Sequence, residues 1–170
     1  MKALRMFQSD YNRWYSGEIN EEKLNMTPQF QAVLLYCIAN NVCKIGADSF
    51  SLLGRHIGQI EIYYSTDIGP GFKINHGVGS VIGARAKIGS NFTIHQNCTI
   101  GDRKGGRPTI GDNVVMYAGL MVLGKISVDR VVLWEPIVLF YPENSLLVGS
   151  PAKFIKKQND YVTKVGDYRY

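Results

Sequence analysis

With 170 residues, 45% of them apolar and 19% charged, the chain is one domain's length with an ordinary globular balance and enough apolar surface for a core. A net charge of +5 suits nucleic acid or an anionic cofactor equally, and no basic run longer than Lys156-Lys157 decides between them. Cys37, Cys43 and Cys98 are an odd number with no C-x-x-C pair, so neither a disulfide frame nor a zinc site is suggested; buried thiols and no metal are expected.

The N-terminal MKALRMFQSDYNRWY lacks the apolar run of a signal peptide, and the longest apolar stretch, Val33 to Ala39, is too short to span a bilayer. A cytoplasmic protein without a membrane span is expected. Residues 1–60 read as a small helical region. Leu4, Phe7, Tyr11, Trp14 and Tyr15 fall at helical spacing, and Phe30, Val33, Leu34, Cys37 and Ile38 repeat it more cleanly. Thr27-Pro28 supplies a capping hydroxyl and a first-turn proline to that second helix. Phe50, Leu53, Ile57 and Ile60 outline a third, and the polar, acidic stretch from Gly17 to Met26 reads as a linker.

After Ile60 the period becomes six. Ile62, Ile68 and Ile74 keep this step, then Ile82, Ile88, Ile94 and Ile100, then Ile110, Met116, Val122, Val128, Trp134, Phe140 and Leu146. Neither a helix, at 3.6, nor a plain strand, at 2, accounts for six; a parallel β-helix does. Three hexapeptides make one triangular coil, and stacked coils bury each other's apolar rungs. Glycine follows the isoleucine at Gly69, Gly83, Gly89, Gly101 and Gly111, which predicts corners with positive φ. The expected fold is therefore mainly β: a parallel β-helix over 61–153, preceded by the helical region and followed by a polar tail over 154–170. Crossovers of parallel strands are ordinarily right-handed, so spacing alone does not give the hand.

Two interruptions reset the phase. The first holds Ile74-Asn75-His76-Gly77-Val78-Gly79, where a histidine between small residues has room for ligands and a charge state labile near neutral pH. A surface loop histidine is the other reading. The second, Gly101 to Thr109, is a basic loop carrying Arg103, Lys104 and Arg107.

The stretch EIYYSTDIGPGFKINHGVGSVIGARAKIGSNFTIHQNCTIG, followed by RPTIGDNVVMYAGLMVLGKISV and LLVGSPAKF, resembles the serine O-acetyltransferases. It is at least as similar to their relatives in capsule and exopolysaccharide synthesis, of the colanic-acid acetyltransferase kind. The resemblance implies a left-handed β-helix, assembled as a homotrimer with sites between subunits, that moves acetyl from acetyl-CoA to a hydroxyl. It makes His76 the general base and Glu61, fifteen residues earlier, the carboxylate that orients it. It places coenzyme A against Ala118, Gly119, Gly149 and Ser150, with Lys153 on a phosphate. Where relatives carry Gly-Ala-Gly on a late coil this chain has Trp134-Glu135-Pro136.

Two departures concern the acceptor. The serine enzymes have Arg-His-Pro where this chain has Gly106-Arg107-Pro108, and an aspartate where it has Asn75. Both turn the expectation toward a sugar hydroxyl of a capsular or exopolysaccharide precursor, with Asn75, Arg103 and Arg107 on the substrate side. Arg103, Lys104 and Arg107 suit an anionic sugar or a coenzyme A phosphate, and a solvated loop is the other reading. Serine O-acetylation is the alternative acceptor chemistry, and a catalytically silent trimeric scaffold the alternative of another class. Nucleic acid is not an expected partner, because no aromatics interleave with a basic groove. His95, pointing away from the inward Ile94, is expected to be exposed, with facing the acceptor as the other reading; His56 is expected to be structural, and Tyr63 and Tyr64 either packing or pocket.

Overall fold

The computed structural model describes residues 2–128 throughout and, beyond them, the backbone of residues 132–133, 145–148 and 153–157. Four helices lead: α1 (Lys2–Tyr11), α2 (Glu21–Met26), α3 (Pro28–Asn41) and α4 (Lys44–Gly58). The short α2 lies in the stretch expected to be a linker. Asn20 caps it by accepting from the Lys23 N–H, and Glu21 and Glu22 favour its positive end. In α3 Pro28 stands in the first turn as expected, while the Thr27 side chain makes no capping bond. Phe30 is the hub between α1 and α3, ringed by Phe7, Tyr11, Trp14 and Tyr15 at centroid distances of 4.9–6.3 Å.

The chain then winds as a left-handed parallel β-helix with three faces. Face A stacks β1 (Glu61–Ile62), β4 (Val81–Ile82), β7 (Thr99–Gly101) and β10 (Met121–Leu123). Face B stacks β2 (Asp67–Ile68), β5 (Lys87–Ile88), β8 (Thr109–Ile110) and β11 (Ser127–Val128). Face C stacks β3 (Lys73–Ile74), β6 (Thr93–Ile94), β9 (Val115–Met116) and β12 (Val132–Leu133). The register puts the six-period residues opposite one another: Ile62, Ile82, Ile100, Val122; Ile68, Ile88, Ile110, Val128; Ile74, Ile94, Met116. Ile74, Ile82, Ile94 and Ile100 are wholly buried, each worth about 1.5–3 kcal/mol of apolar transfer.

The period does not continue as expected past Val128. Leu133, five residues on, pairs with Met116, and Leu146 lies in an antiparallel hairpin of β13 (Ser145–Val148) and β14 (Lys153–Lys157). Trp134 and Phe140 lie outside the described residues.

The glycines after the isoleucines do not have positive φ. That conformation falls instead on Arg85, Asn91, Asn97 and Asn113 among others, and on glycines elsewhere. Gly69, Gly89 and Gly111 stack on successive coils, and the reason for them is closeness: a Cβ on Gly69 would lie 2.8 Å from the Gly89 carbonyl carbon, and one on Gly89 2.7 Å from that of Gly111.

The first coil has no coil beneath it, and the helices satisfy its open edge. Asp10 accepts from the Gly71 and Phe72 N–H groups at 2.8 and 2.7 Å. Tyr36 Oη donates to the Thr66 carbonyl and accepts from the Ile68 N–H, while Asn40 donates to the Tyr64 and Thr66 carbonyls. Unpaired strand edges invite association, and here side chains from α1 and α3 occupy this one.

Candidate active site

Each turn from face C to face A passes one corner. In the first coil this is the bulge after Ile74, in the second His95-Gln96-Asn97, in the third Tyr117-Ala118-Gly119. Asn97 donates its N–H to the Val78 carbonyl and Gly119 its own to Gln96, so the three levels form one continuous edge. Gly77 turns the bulge inward: a Cβ there would meet Ile60 Cβ and the Gly58 carbonyl at 3.2 Å, and Gly79 N–H bonds the Gln59 carbonyl. The chain therefore folds back on itself and leaves His76 exposed on the rim.

Asn75, His95 and Tyr117 stand one residue beyond the inward Ile74, Ile94 and Met116 and form a column beside His76. Asn75 Nδ2 donates to His95 Nε2 at 3.1 Å, which leaves the proton of the neutral imidazole on Nδ1. His95 stacks on Tyr117 at 4.8 Å and 23°, and its centroid is 6.1 Å from that of His76. Burial first, then the facing His76 and Lys73, lower the His95 pKa below its ordinary 6.5. His95 is thus half-buried within the site, correcting the expectation that it is exposed. The sequence left its place between exposure and the acceptor side because strand alternation says only that a side chain points outward. The column of residues following the rungs was the signal.

Glu61 opens β1 just past the same corner, but its carboxylate pairs with Arg55 of α4 at 2.9 Å. No hydrogen bond or ion pair joins it to His76 among the described residues, so the expected orienting contact is absent from this arrangement. Arg103 and Arg107 belong to another corner, between faces A and B. Their loop is a tight turn, with Arg103 and Gly106 bonding each other across Lys104 and Gly105, both at positive φ, as in a type I′ hairpin. Arg107 is bound within it: Nη2 lies 3.3 Å from Asp102 and Nη1 donates to the Gly105 carbonyl, while Asp102 also accepts from the Gly105 N–H. Arg103 is exposed.

Ala118 is exposed and Gly119 turns with φ 79, small residues on the edge that carries His76. Gly149 and Ser150 lie outside the described residues, as does Trp134-Glu135-Pro136; Lys153 is placed in β14 by its backbone alone. His56 is exposed on α4, Tyr63 is exposed and Tyr64 half-buried, and Cys43 is exposed while Cys37 and Cys98 are buried. No group of three or more candidate metal ligands occurs among the described residues, and no described helix is long and apolar enough to cross a membrane.

Serine acetyltransferase of Helicobacter pylori is 38% identical to this chain over 167 residues, covering 90% of it and 94% of the relative. The chain belongs to the serine acetyltransferase family. The enzyme of that name from Staphylococcus aureus strain N315 is 35% identical over 145 residues, 81% of this chain and 68% of its own. Neisseria gonorrhoeae serine acetyltransferase, solved in complex with serine, superposes with a TM-score of 0.74 over 91% of this chain and 69% of that one; at 24% identity it attests the fold. No family model matches the sequence. Family membership makes the protein a hexapeptide-repeat O-acetyltransferase, as the resemblance implied.

Proposed function

We propose that the protein is a serine O-acetyltransferase, with His76 as general base and acetyl-CoA as donor. The observation that carries this reading is the 38% identity across 94% of the Helicobacter pylori enzyme, in a chain that keeps a histidine on the exposed bulge. The relatives favour serine over the capsular or exopolysaccharide sugar expected from Asn75 and Gly106-Arg107-Pro108. The loop agrees, since Arg107 is bound to Asp102 rather than presented to an anionic sugar.

Acetyl-CoA supplies the thioester carbonyl that the acceptor oxygen attacks. His76, exposed at the rim, takes the proton from the serine hydroxyl and returns it to the departing thiolate. Glu61, next to the Ile60 on which the bulge packs, is the carboxylate that the family resemblance assigns to orient His76; here it is paired with Arg55, and reaching the imidazolium requires it to leave that pair. Asn75 and His95 form the wall of the acceptor side. Ala118 and Gly119 leave room along the same edge for the donor, with Gly149, Ser150 and Lys153 further along the chain. The reading includes a cytoplasmic homotrimer. The silent-scaffold alternative rests on Trp134-Glu135-Pro136, which lies outside the described residues.

The test is product identification. Purified protein, acetyl-CoA and either L-serine or a panel of nucleotide sugars and oligosaccharides are incubated, and acetylated products are identified by mass spectrometry. O-acetylserine is the expected product; an acetylated glycan with no O-acetylserine would overturn the acceptor.

A further inference from the structure

We propose that Lys73 is the cation that receives the carboxylate of the acceptor, in place of the loop Arg-His that this chain lacks. The inference rests on the serine reading and names the group that recognises that substrate. A small amino acid must be held by its charged end if its hydroxyl is to meet a base, and Arg107, the loop's nearest counterpart, is occupied by Asp102 and the Gly105 carbonyl.

Lys73 lies on β3 two residues before Asn75, on the same outward face, about 6.6 Å along the strand. It is half-buried, and its ammonium sits 4.8 Å above the Trp14 ring. No carboxylate pairs with it among the described residues. The neighbouring guanidinium of Arg13 is already bound, to the Gly71 carbonyl and Thr93 Oγ1. Among the described residues Asp10, the acid that acts on Arg13, is buried and committed to the Gly71 and Phe72 N–H groups and to Cys37.

Among the described residues the outer surface of face C presents two cations: Arg13 already gives one N–H each to the Gly71 carbonyl and Thr93 Oγ1, whereas the Lys73 ammonium makes no hydrogen bond or ion pair. Burial, then Arg13, hold its pKa below the usual range, which marks an ammonium whose charge is poorly compensated. An arriving carboxylate provides that compensation. Trp14 fixes the direction of the side chain, and His95, held by Asn75 and with its pKa lowered by burial, His76 and Lys73, adds no competing charge beside it. An amino acid with its carboxylate on Lys73 then lies along β3 with its hydroxyl toward the bulge.

The test is steady-state thiol release by wild type, Lys73→Met and Lys73→Arg, with L-serine and L-serinamide as acceptors. Methionine keeps an apolar stem over Trp14 and removes the charge. Wild type is expected to prefer L-serine over L-serinamide through KM. Lys73→Met should raise the KM for L-serine about tenfold to a hundredfold with kcat within about threefold, as for loss of a charge-assisted bond. It should leave the KM for L-serinamide near the wild-type value, and Lys73→Arg should recover most of the loss. An unchanged KM in Lys73→Met overturns the role of Lys73 alone. Equal wild-type KM values for L-serine and L-serinamide overturn carboxylate recognition, whether or not the variant folds. No wild-type turnover of L-serine overturns the function and this inference with it.

Discussion

The Asp10 carboxyl, 4% exposed, is the one buried acid among the described residues, and burial pushes its pKa up to about 6 against the pull of the Phe72 and Gly71 N–H groups. Below about pH 4 the carboxyl is protonated in both native and unfolded chains. Between about pH 4 and 6 the native chain keeps a proton the unfolded chain has lost, so this group's contribution falls as pH rises through that window and is level above it. The span is on the order of 3 kcal/mol. Denaturant unfolding of wild type and Asp10→Asn at pH 4 to 8 should show wild type losing stability relative to the variant across the window. A difference that does not change with pH would contradict it. Asp10→Ala, which leaves two coil N–H groups without an acceptor, should cost about 2–4 kcal/mol at pH 7. At His95, burial lowers the pKa first and His76 and Lys73 add to it, so Lys73→Met should move its NMR titration midpoint part of the way back toward 6.5. An unmoved midpoint would place Lys73 too far away to act.

Along the β-helix, substitutions at stacked positions separate packing from conformation. Gly89→Ala puts a Cβ against Asp112 Oδ1, 2.7 Å from the Gly111 carbonyl carbon and 2.8 Å from the Asp112 N; the side chain can swing away, but the two backbone atoms of the next coil cannot. It should cost about 1–3 kcal/mol by thermal or denaturant unfolding, and a neutral result would show that the coils can spread. Ile94→Ala, at a wholly buried rung, should cost about 2–5 kcal/mol. The rungs were legible in the sequence because a period of six has one common cause, the inward position of every strand from Ile62 to Val128. The glycine role was misread because a corner glycine answers two needs, positive φ or close approach, and spacing does not distinguish them. Asn91, Asn97 and Asn113 carry the positive φ instead. Helix α2 was hidden by its six residues, too few for a period, although Asn20-Glu21-Glu22 is a readable helix start. His76 was legible through its glycine-flanked interruption. The edge contacts of Asp10, Tyr36 and Asn40, and the column of Asn75, His95 and Tyr117, join residues 20 to 62 positions apart and become visible only when the coils are stacked.

At the scale of the molecule, the helical region covers the first coil's open edge with polar side chains, and the edge from the His76 bulge to Ala118-Gly119 runs along one corner of the coils. The proposed homotrimer predicts that sedimentation equilibrium gives three times the 19.0 kDa chain mass. A monomer that retains full activity would place the whole site within one chain. The most direct test of the account is the rate of thiol release from acetyl-CoA with L-serine, compared between wild type and His76→Ala. With His76 as general base, kcat should fall about a hundredfold to ten-thousandfold in a variant that keeps the wild-type melting temperature. A folded His76→Ala protein that acetylates serine at the wild-type rate would contradict it.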